Sequence, residues 1–244
     1  MILRRFMQHV KEQSWFAVGL DVIVVIVGIF LGLQVQAWYE DQAVREQELT
    51  YLNQLHEEVV EITEIAEFRY DRATKKMEVL QFITHYFSEN TTPPELSDNH
   101  CVAIVNSHIR NSPSLSLSTL TEIINSGQIN IIQNKNIRSL ITNYIRENER
   151  SMRVEASSEG NTKRMGSIYP DMIKVGPFID IDESTSYGRT HQCNFTMMNE
   201  SQAFQNDLLA NASLLNVLRR LFPRQIPILN ELHDQIDRSL GLTH

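Results

Sequence analysis

An apolar segment near the N-terminus places the strongest constraint on what this chain can fold into. It extends from about Phe16 to Ala37, and residues 22–33 at its centre form an uninterrupted apolar run. A helix of about 22 residues is about 33 Å long, which matches the hydrocarbon thickness of a bilayer. Trp15 and Trp38 flank the segment like the aromatic belts of membrane proteins. The sequence therefore predicts one transmembrane helix over residues 15–38.

A secretory signal peptide is the alternative interpretation of this segment. The basic start, the apolar run and the Val-Gln-Ala tripeptide at 35–37 resemble a signal peptide with its cleavage site. The acidic side chain of Asp21 and the bulky Trp38 and Tyr39 are unusual for such a signal. These three residues favour a helix that is retained in the membrane.

Charged residues are distributed unequally on the two sides of the predicted span. Residues 1–14 contain three basic side chains and one acidic side chain, whereas residues 39–61 contain seven acidic side chains and one basic side chain. Lys and Arg are retained on the cytoplasmic side of a membrane. We therefore expect residues 1–14 to form a cytoplasmic tail and the chain after residue 38 to be extracytoplasmic.

Two cysteines lie in the part of the chain that is expected outside the cytoplasm. An even number of cysteines in an oxidising compartment usually indicates a disulfide, so Cys101 and Cys193 are a possible pair. Free thiols are one alternative. A zinc site that adds the neighbouring His100 and His191 is another, although the usual Cys-x2-Cys spacing is missing.

The sequence lacks the motifs that identify common enzymes and nucleic-acid-binding proteins. It contains no Gly-x-Ser-x-Gly, His-Glu-x-x-His, Gly-rich phosphate loop or Cys-x-x-Cys. The net charge of −8 and the absence of Lys/Arg runs argue against a nucleic acid partner. The acidic residues at 180–183 lack the pattern of a calcium-binding EF-hand. We therefore expect no catalytic residues, cofactor or metal.

A long helix is predicted directly after the membrane, over residues 39–88. Apolar residues recur there every three or four positions, and residues 40–87 contain no Gly or Pro. This seam consists of Leu52, Leu55, Val59, Ile62, Ala66, Arg69, Ala73, Lys76, Leu80, Ile83 and Phe87. Because Arg69 and Lys76 interrupt the apolar seam, we expect a helix packed in a bundle, with an oligomeric coiled-coil stalk as the alternative.

The remaining residues, 89–244, predict a helical extracytoplasmic domain. Thr119 and Glu122 have the spacing of a capping box, and Gly127 is placed to end that helix. A further helix is predicted from residue 134 to about residue 158 by its periodicity.

Two features interrupt this helical pattern. Residues 160–198 are rich in Gly and Pro and predict an irregular region, whose length is typical of a functional or poorly ordered loop. Pro223 and Pro227 are expected to kink or break the last helix. The predicted fold class is thus mainly α: a transmembrane helix, a long helix and a helical bundle with one irregular insert.

One face of the membrane helix is polar and narrow. With 100° of rotation per residue, Asp21, Val25, Gly28, Gly32 and Gln36 lie within about 80° of one another. Glycines four apart allow close approach of two helices in lipid. We expect this face to bind a second copy of the chain or a multi-span membrane partner. The acid has two interpretations: an ion-coupling group, or a carboxyl group that is hydrated or protonated near the cytoplasmic interface.

The N-terminal region resembles a large family of uncharacterised single-pass bacterial membrane proteins, a domain-of-unknown-function family. The shared features are an acid at Asp21, a Val-Gly-Ile run at 27–29, Leu-Gln at 33–34, and Trp-Tyr-Glu at 38–40, where Tyr replaces the usual Asn. The segment 117–145 is similar to the family's second block, a Ser-Gly-x-Ile-x-Ile-Ile turn between two helices. The resemblance implies a retained anchor and supplies no activity. Together with the charge asymmetry, it leads us to expect a protein of the bacterial inner membrane whose C-terminal domain is periplasmic.

A similarity limited to one helix concerns ion-driven subunits of the ExbD, TolR and MotB type. These have a short cytoplasmic start and a single helix with an Asp near its cytoplasmic end, as Asp21 is here. We thus expect a non-enzymatic oligomerising or partner-binding membrane protein. The alternatives are an ion-coupled subunit that uses Asp21, and an extracytoplasmic ligand sensor, which would need a partner because a tail of about 14 residues is too short for an output domain.

Overall fold

The fold is mainly α-helical, as the sequence predicts. The computed structural model describes residues 15–89, 96–177 and 191–242, and within the first range the side chains of residues 15–18, 21 and 89 are not described. The chain divides into two compact units, Met1–Tyr51 and Leu52–His244. The predicted cytoplasmic tail lies outside the described residues.

Helices account for most of the described chain. The α-helices are α1 Trp15–Glu89, α2 Asp98–Val105, α3 Ser118–Asn125, α4 Lys135–Ser158, α5 Met165–Ile168, α6 Phe195–Glu200, α7 Gln202–Arg219 and α8 Phe222–Leu240. Short 3-10 turns occupy Asn106–His108 and Ile129–Ile131. Two short strands, β1 Ile173–Lys174 and β2 Gln192–Cys193, pair antiparallel.

Helix α1 joins the predicted transmembrane and long helices without an interruption. Its apolar part within the first unit is long and hydrophobic enough to cross a membrane, and none of that window is buried inside the chain. In the second unit, the predicted seam of α1 faces the core. Its residues Leu55, Val59, Leu80 and Ile83 have no exposed surface. The seam is therefore covered by the chain's own domain, as expected for a bundle helix.

The two cations on the seam bind backbone carbonyl groups of a distant segment. Arg69 donates from Nη1 to the carbonyl oxygen of Ser112 over 3.1 Å. Lys76 donates from Nζ to the carbonyl oxygens of Asn106 and Ile109. Backbone carbonyl groups need hydrogen-bond donors, and these half-buried cations supply them. Both charged residues thus belong to the fold and fix the chain that follows α2.

The N-terminus of α3 differs from the predicted capping box. The N-cap residue is Leu117, so Thr119 lies inside the helix and does not cap it. Instead, the Glu58 carboxylate of α1 accepts hydrogen bonds from the Thr119 N–H, the Thr119 hydroxyl and the Ser118 hydroxyl. A carboxylate at a helix N-terminus is stabilised by the unpaired N–H groups and by the helix dipole. Gly127 has the left-handed conformation (φ 70°) expected after this helix.

The region from 160 to 198 contains more regular structure than its composition suggests. Helix α5 and the strand pair β1–β2 lie within it, although residues 178–190 are outside the described range. Cys193 in β2 forms a disulfide with Cys101 in α2, with their Cα atoms 5.7 Å apart. Cys101 is buried in the main apolar cluster, together with residues such as Ile104 and Phe204. The strand pair is thereby tied to the core.

The two prolines of the C-terminal segment lie within one helix. Pro223 is in the first turn of α8, where the N–H that proline lacks would have no helical partner. Pro227 lies inside α8, which continues past it to Leu240, so the expected break at this residue is wrong. Helix α8 packs along α4 and buries Leu229, Leu232 and Ile236 completely. This apolar packing maintains the helix despite the missing hydrogen bond.

Candidate functional site

The predicted interface of the membrane helix is an open surface in the described chain. The side chain of Val25 is exposed, and a Cβ added at Gly28 or at Gly32 would meet no atom within 4 Å. Gln36 donates from Nε2 to the Glu40 carboxylate one turn later, over 2.9 Å. The side chain of Asp21 is outside the described part of the structure, so its predicted role stays a prediction.

The flanking tryptophans are placed at the two ends of this surface by the helix itself. Trp38 is 65% exposed, and its ring meets the ring of Tyr39 edge-on at a centroid distance of 6.4 Å. Trp15 is the first residue of α1, and its side chain is not described. An exposed pair of aromatic rings beside an apolar surface is what an interfacial anchor requires.

A cluster of two histidines and an aspartate, which the sequence analysis did not identify, lies in the second unit. His56 of α1 and His233 and Asp237 of α8 bring their ring nitrogens and carboxylate oxygens within 4.8 Å of one another. All three residues are partly buried. The spacing of His233 and Asp237, four residues apart on one helix, is the signal in the sequence. The pairing with His56 depends on the tertiary fold.

The atoms of this cluster are close to one another. The His56 Nε2 lies 2.9 Å from one Asp237 carboxylate oxygen, and the His233 Nε2 lies 3.6 Å from the other. The two Nε2 atoms are 3.1 Å apart, with the ring centroids at 4.9 Å. A search of the described residues for three or more His, Cys, Asp or Glu side chains close enough to hold a metal ion finds this group.

A cleft of about 490 Å³ lies beside α1 in the second unit. Its lining includes Arg72, Lys76, Val79, Asn99 and Ile109. Burial, and secondarily the charge of Arg72, lower the pKa of Lys76 to about 8. The Lys76 ammonium group already donates to two backbone carbonyl oxygens. We therefore assign it a structural role and not a role in binding a ligand.

The lowered pKa of Lys76 predicts a specific dependence of stability on pH. Between about pH 8 and pH 10.5 the unfolded chain binds more protons at this side chain than the folded chain, so stability rises with pH. The expected gain is about 2–3 kcal/mol, reduced from the full linkage value because the group is partly solvated. The free energy of unfolding, measured by urea titration across this pH range, checks the gain.

Two substitutions separate this effect from general alkaline changes. The Lys76→Met variant should lose the rise with pH, whereas Lys75→Met should keep it, because Lys75 is exposed and pairs with Asp71. An unchanged slope in the Lys76→Met variant would show that another group causes the dependence.

Comparison with protein-family models, with curated proteins and with solved structures finds no match to this chain. The resemblance of its N-terminal region to a family of single-pass membrane proteins therefore stays an expectation drawn from the quoted residues.

Proposed function

We propose that this chain is a single-pass protein of the bacterial inner membrane that acts by binding a second copy of itself or a multi-span partner. The N-terminus is in the cytoplasm and the helical domain is in the periplasm. Membrane lipid surrounds the apolar faces of α1. The protein works as a structural or interaction component and not as an enzyme.

The observation that carries the proposal is the uncovered apolar part of α1. Residues such as Ile23, Val24, Ile29 and Phe30 are each more than half exposed. An apolar surface of this size is not tolerated in water, so lipid or other helices must cover it. The small residues Gly28 and Gly32 then provide the position at which another helix approaches.

Bulky substitutions on the glycine face should weaken association in the membrane. The double variant Gly28→Leu/Gly32→Leu places two large side chains where close backbone contact is proposed. We expect the yield of the crosslinked species in native membranes to fall about tenfold, because the helices can no longer approach. Crosslinking of the full-length protein at matched expression measures this loss.

The matched control introduces two leucines on the opposite face of the helix. Ile26 and Phe30 are also four residues apart and are exposed, and they lie about 140° and 180° from Asp21 around the helix. The Ile26→Leu/Phe30→Leu variant should crosslink like the wild type. Equal crosslinking of all three proteins would contradict the proposed interface. An Asp21→Asn variant that keeps its crosslinks but abolishes the protein's effect in cells would instead indicate an ion-coupled subunit.

A further inference from the structure

We propose that His56, His233 and Asp237 form a binding site for a divalent transition-metal ion of the zinc type. The site lies entirely in the second unit. No sequence motif indicates this site, because its three ligands come from opposite ends of the sequence of the second unit.

The distances between the ligand atoms match those around a tetrahedral ion. Zinc binds imidazole nitrogen and carboxylate oxygen at about 2.0–2.2 Å, which places neighbouring ligand atoms about 3.3 Å apart. The two Nε2 atoms are 3.1 Å apart, one Asp237 carboxylate oxygen lies 2.9 Å from the His56 Nε2, and the other oxygen lies 3.6 Å from the His233 Nε2. A single ion can therefore contact all three groups with small side-chain adjustments.

The identity of the ligand atoms favours a transition metal over calcium or magnesium. Calcium and magnesium select oxygen ligands, whereas imidazole suits zinc, copper, nickel and iron. Two imidazoles and one carboxylate leave a fourth tetrahedral position, which water or an external donor can occupy. We assign zinc because a tetrahedral set of nitrogen and oxygen ligands fits it without a further protein ligand.

The ligands are held by the hydrophobic core. Each one directly follows a residue with no exposed surface: Leu55, Leu232 and Ile236 precede them in the sequence. Burial of these neighbours fixes the backbone, and hence the direction of the adjacent side chains.

The end of α8 gives further rigidity at Asp237. Its carbonyl oxygen accepts hydrogen bonds from the N–H groups of Gly241 and Leu242, and Gly241 is left-handed (φ 70°). This geometry closes the last turn of the helix. The carboxylate is thus attached to a fixed backbone, and a bound ion would hold α8 to α1 at this point.

Zinc titration of the full-length protein tests the assignment. The protein is prepared in detergent without a histidine tag and treated with chelator, and ZnSO₄ is then titrated in a calorimeter. We expect saturable binding of one ion per chain. Co²⁺ as a spectroscopic probe should give the strong visible absorption of a tetrahedral site.

Variants of each ligand distinguish this site from adventitious binding. His56→Ala and Asp237→Ala should each weaken zinc binding at least about tenfold, since even outer-shell partners of a metal site contribute that much. His233→Asn is the variant least dependent on packing, because its side chain is 29% exposed. His85→Ala, at an exposed histidine of the same helix, is the matched control and should bind like the wild type.

Saturable binding that the three ligand variants lose and His85→Ala retains supports the site. Absence of saturable binding in the wild type overturns it, as does binding that is unchanged in the His233→Asn variant. If His56→Ala lowers the unfolding temperature without any zinc effect on the wild type, the cluster is a hydrogen-bonded triad only and the proposal is wrong.

Discussion

Loss of the disulfide between Cys101 and Cys193 is expected to lower the free energy of unfolding of the second unit by about 4–5 kcal/mol. The two cysteines are separated by 92 residues in the sequence. In the chain-entropy model, closing a loop of this length restricts the unfolded chain by about that amount. A typical domain has only about 5–15 kcal/mol of net stability, so the loss should leave the unit close to unfolding.

The position of the bond makes alanine the appropriate replacement. Cys101 is 1% exposed and packs in the cluster that contains Ile104, Met198 and Phe204. A serine hydroxyl at this apolar position would add the cost of a buried polar group. The Cys101→Ala/Cys193→Ala variant removes the bond without that cost, so the measured difference reports mainly the crosslink.

Urea unfolding of the full-length protein in detergent, followed by far-UV circular dichroism, measures this effect. The wild type should lose its extra stability in dithiothreitol, whereas the double alanine variant should be insensitive to the reductant. Thiol labelling of the protein in native membranes tests whether the disulfide is present. If both cysteines react there without reduction, the bond is absent, and the extracytoplasmic placement of the domain loses its chemical support.

Local periodicity predicted the long elements, because a helix repeats its buried face every three to four residues. It identified the seam of α1 and the extent of α4, whose N-cap is Asn134. It could not explain Arg69 and Lys76, since their partners are carbonyl groups some 30 to 43 residues further along. The residues next to a charged side chain on an apolar face do not indicate which distant carbonyl group it will bind.

The predicted capping box at Thr119 failed for the same physical reason. A carboxylate from α1, Glu58, lies 61 residues earlier in the sequence and occupies the position that a local cap would use. The cluster of His56, His233 and Asp237 was harder still to predict from local sequence, because His56 and His233 are separated by 177 residues. Residue type and helical spacing can nominate His233 and Asp237, but only the packed fold supplies the third ligand.

The buried amide of Asn211, in α7, makes three side-chain hydrogen bonds within the second unit. Its side-chain oxygen accepts from the N–H of Lys163 over 2.8 Å, and its Nδ2 donates to the carbonyl oxygen of Lys163 and to the hydroxyl of Ser107, both over 2.8 Å. The side chain is 1% exposed. It therefore pairs both backbone groups of Lys163, as a neighbouring strand would, and fixes the segment that follows α4.

Replacement of Asn211 by leucine, which has a similar volume, is expected to destabilise the unit by about 3 kcal/mol or more. The change leaves three polar groups without their partner, and each unsatisfied buried group costs about 1–3 kcal/mol. We expect a loss near the lower end of the sum of these three costs, because Lys163 is exposed and water can replace part of the lost hydrogen bonding. Urea unfolding of the full-length protein gives the difference in free energy.

Asn206 is the matched control on the same helix. It is exposed, and its amide oxygen accepts one hydrogen bond from Gln202, so Asn206→Leu should change the free energy of unfolding by less than about 0.5 kcal/mol. Hydrogen exchange adds a local test, because the Lys163 amide should lose its protection in Asn211→Leu and keep it in Asn206→Leu. If Lys163 stays protected and the two variants are equally stable, the segment after α4 is held by other contacts and the role assigned to Asn211 is wrong.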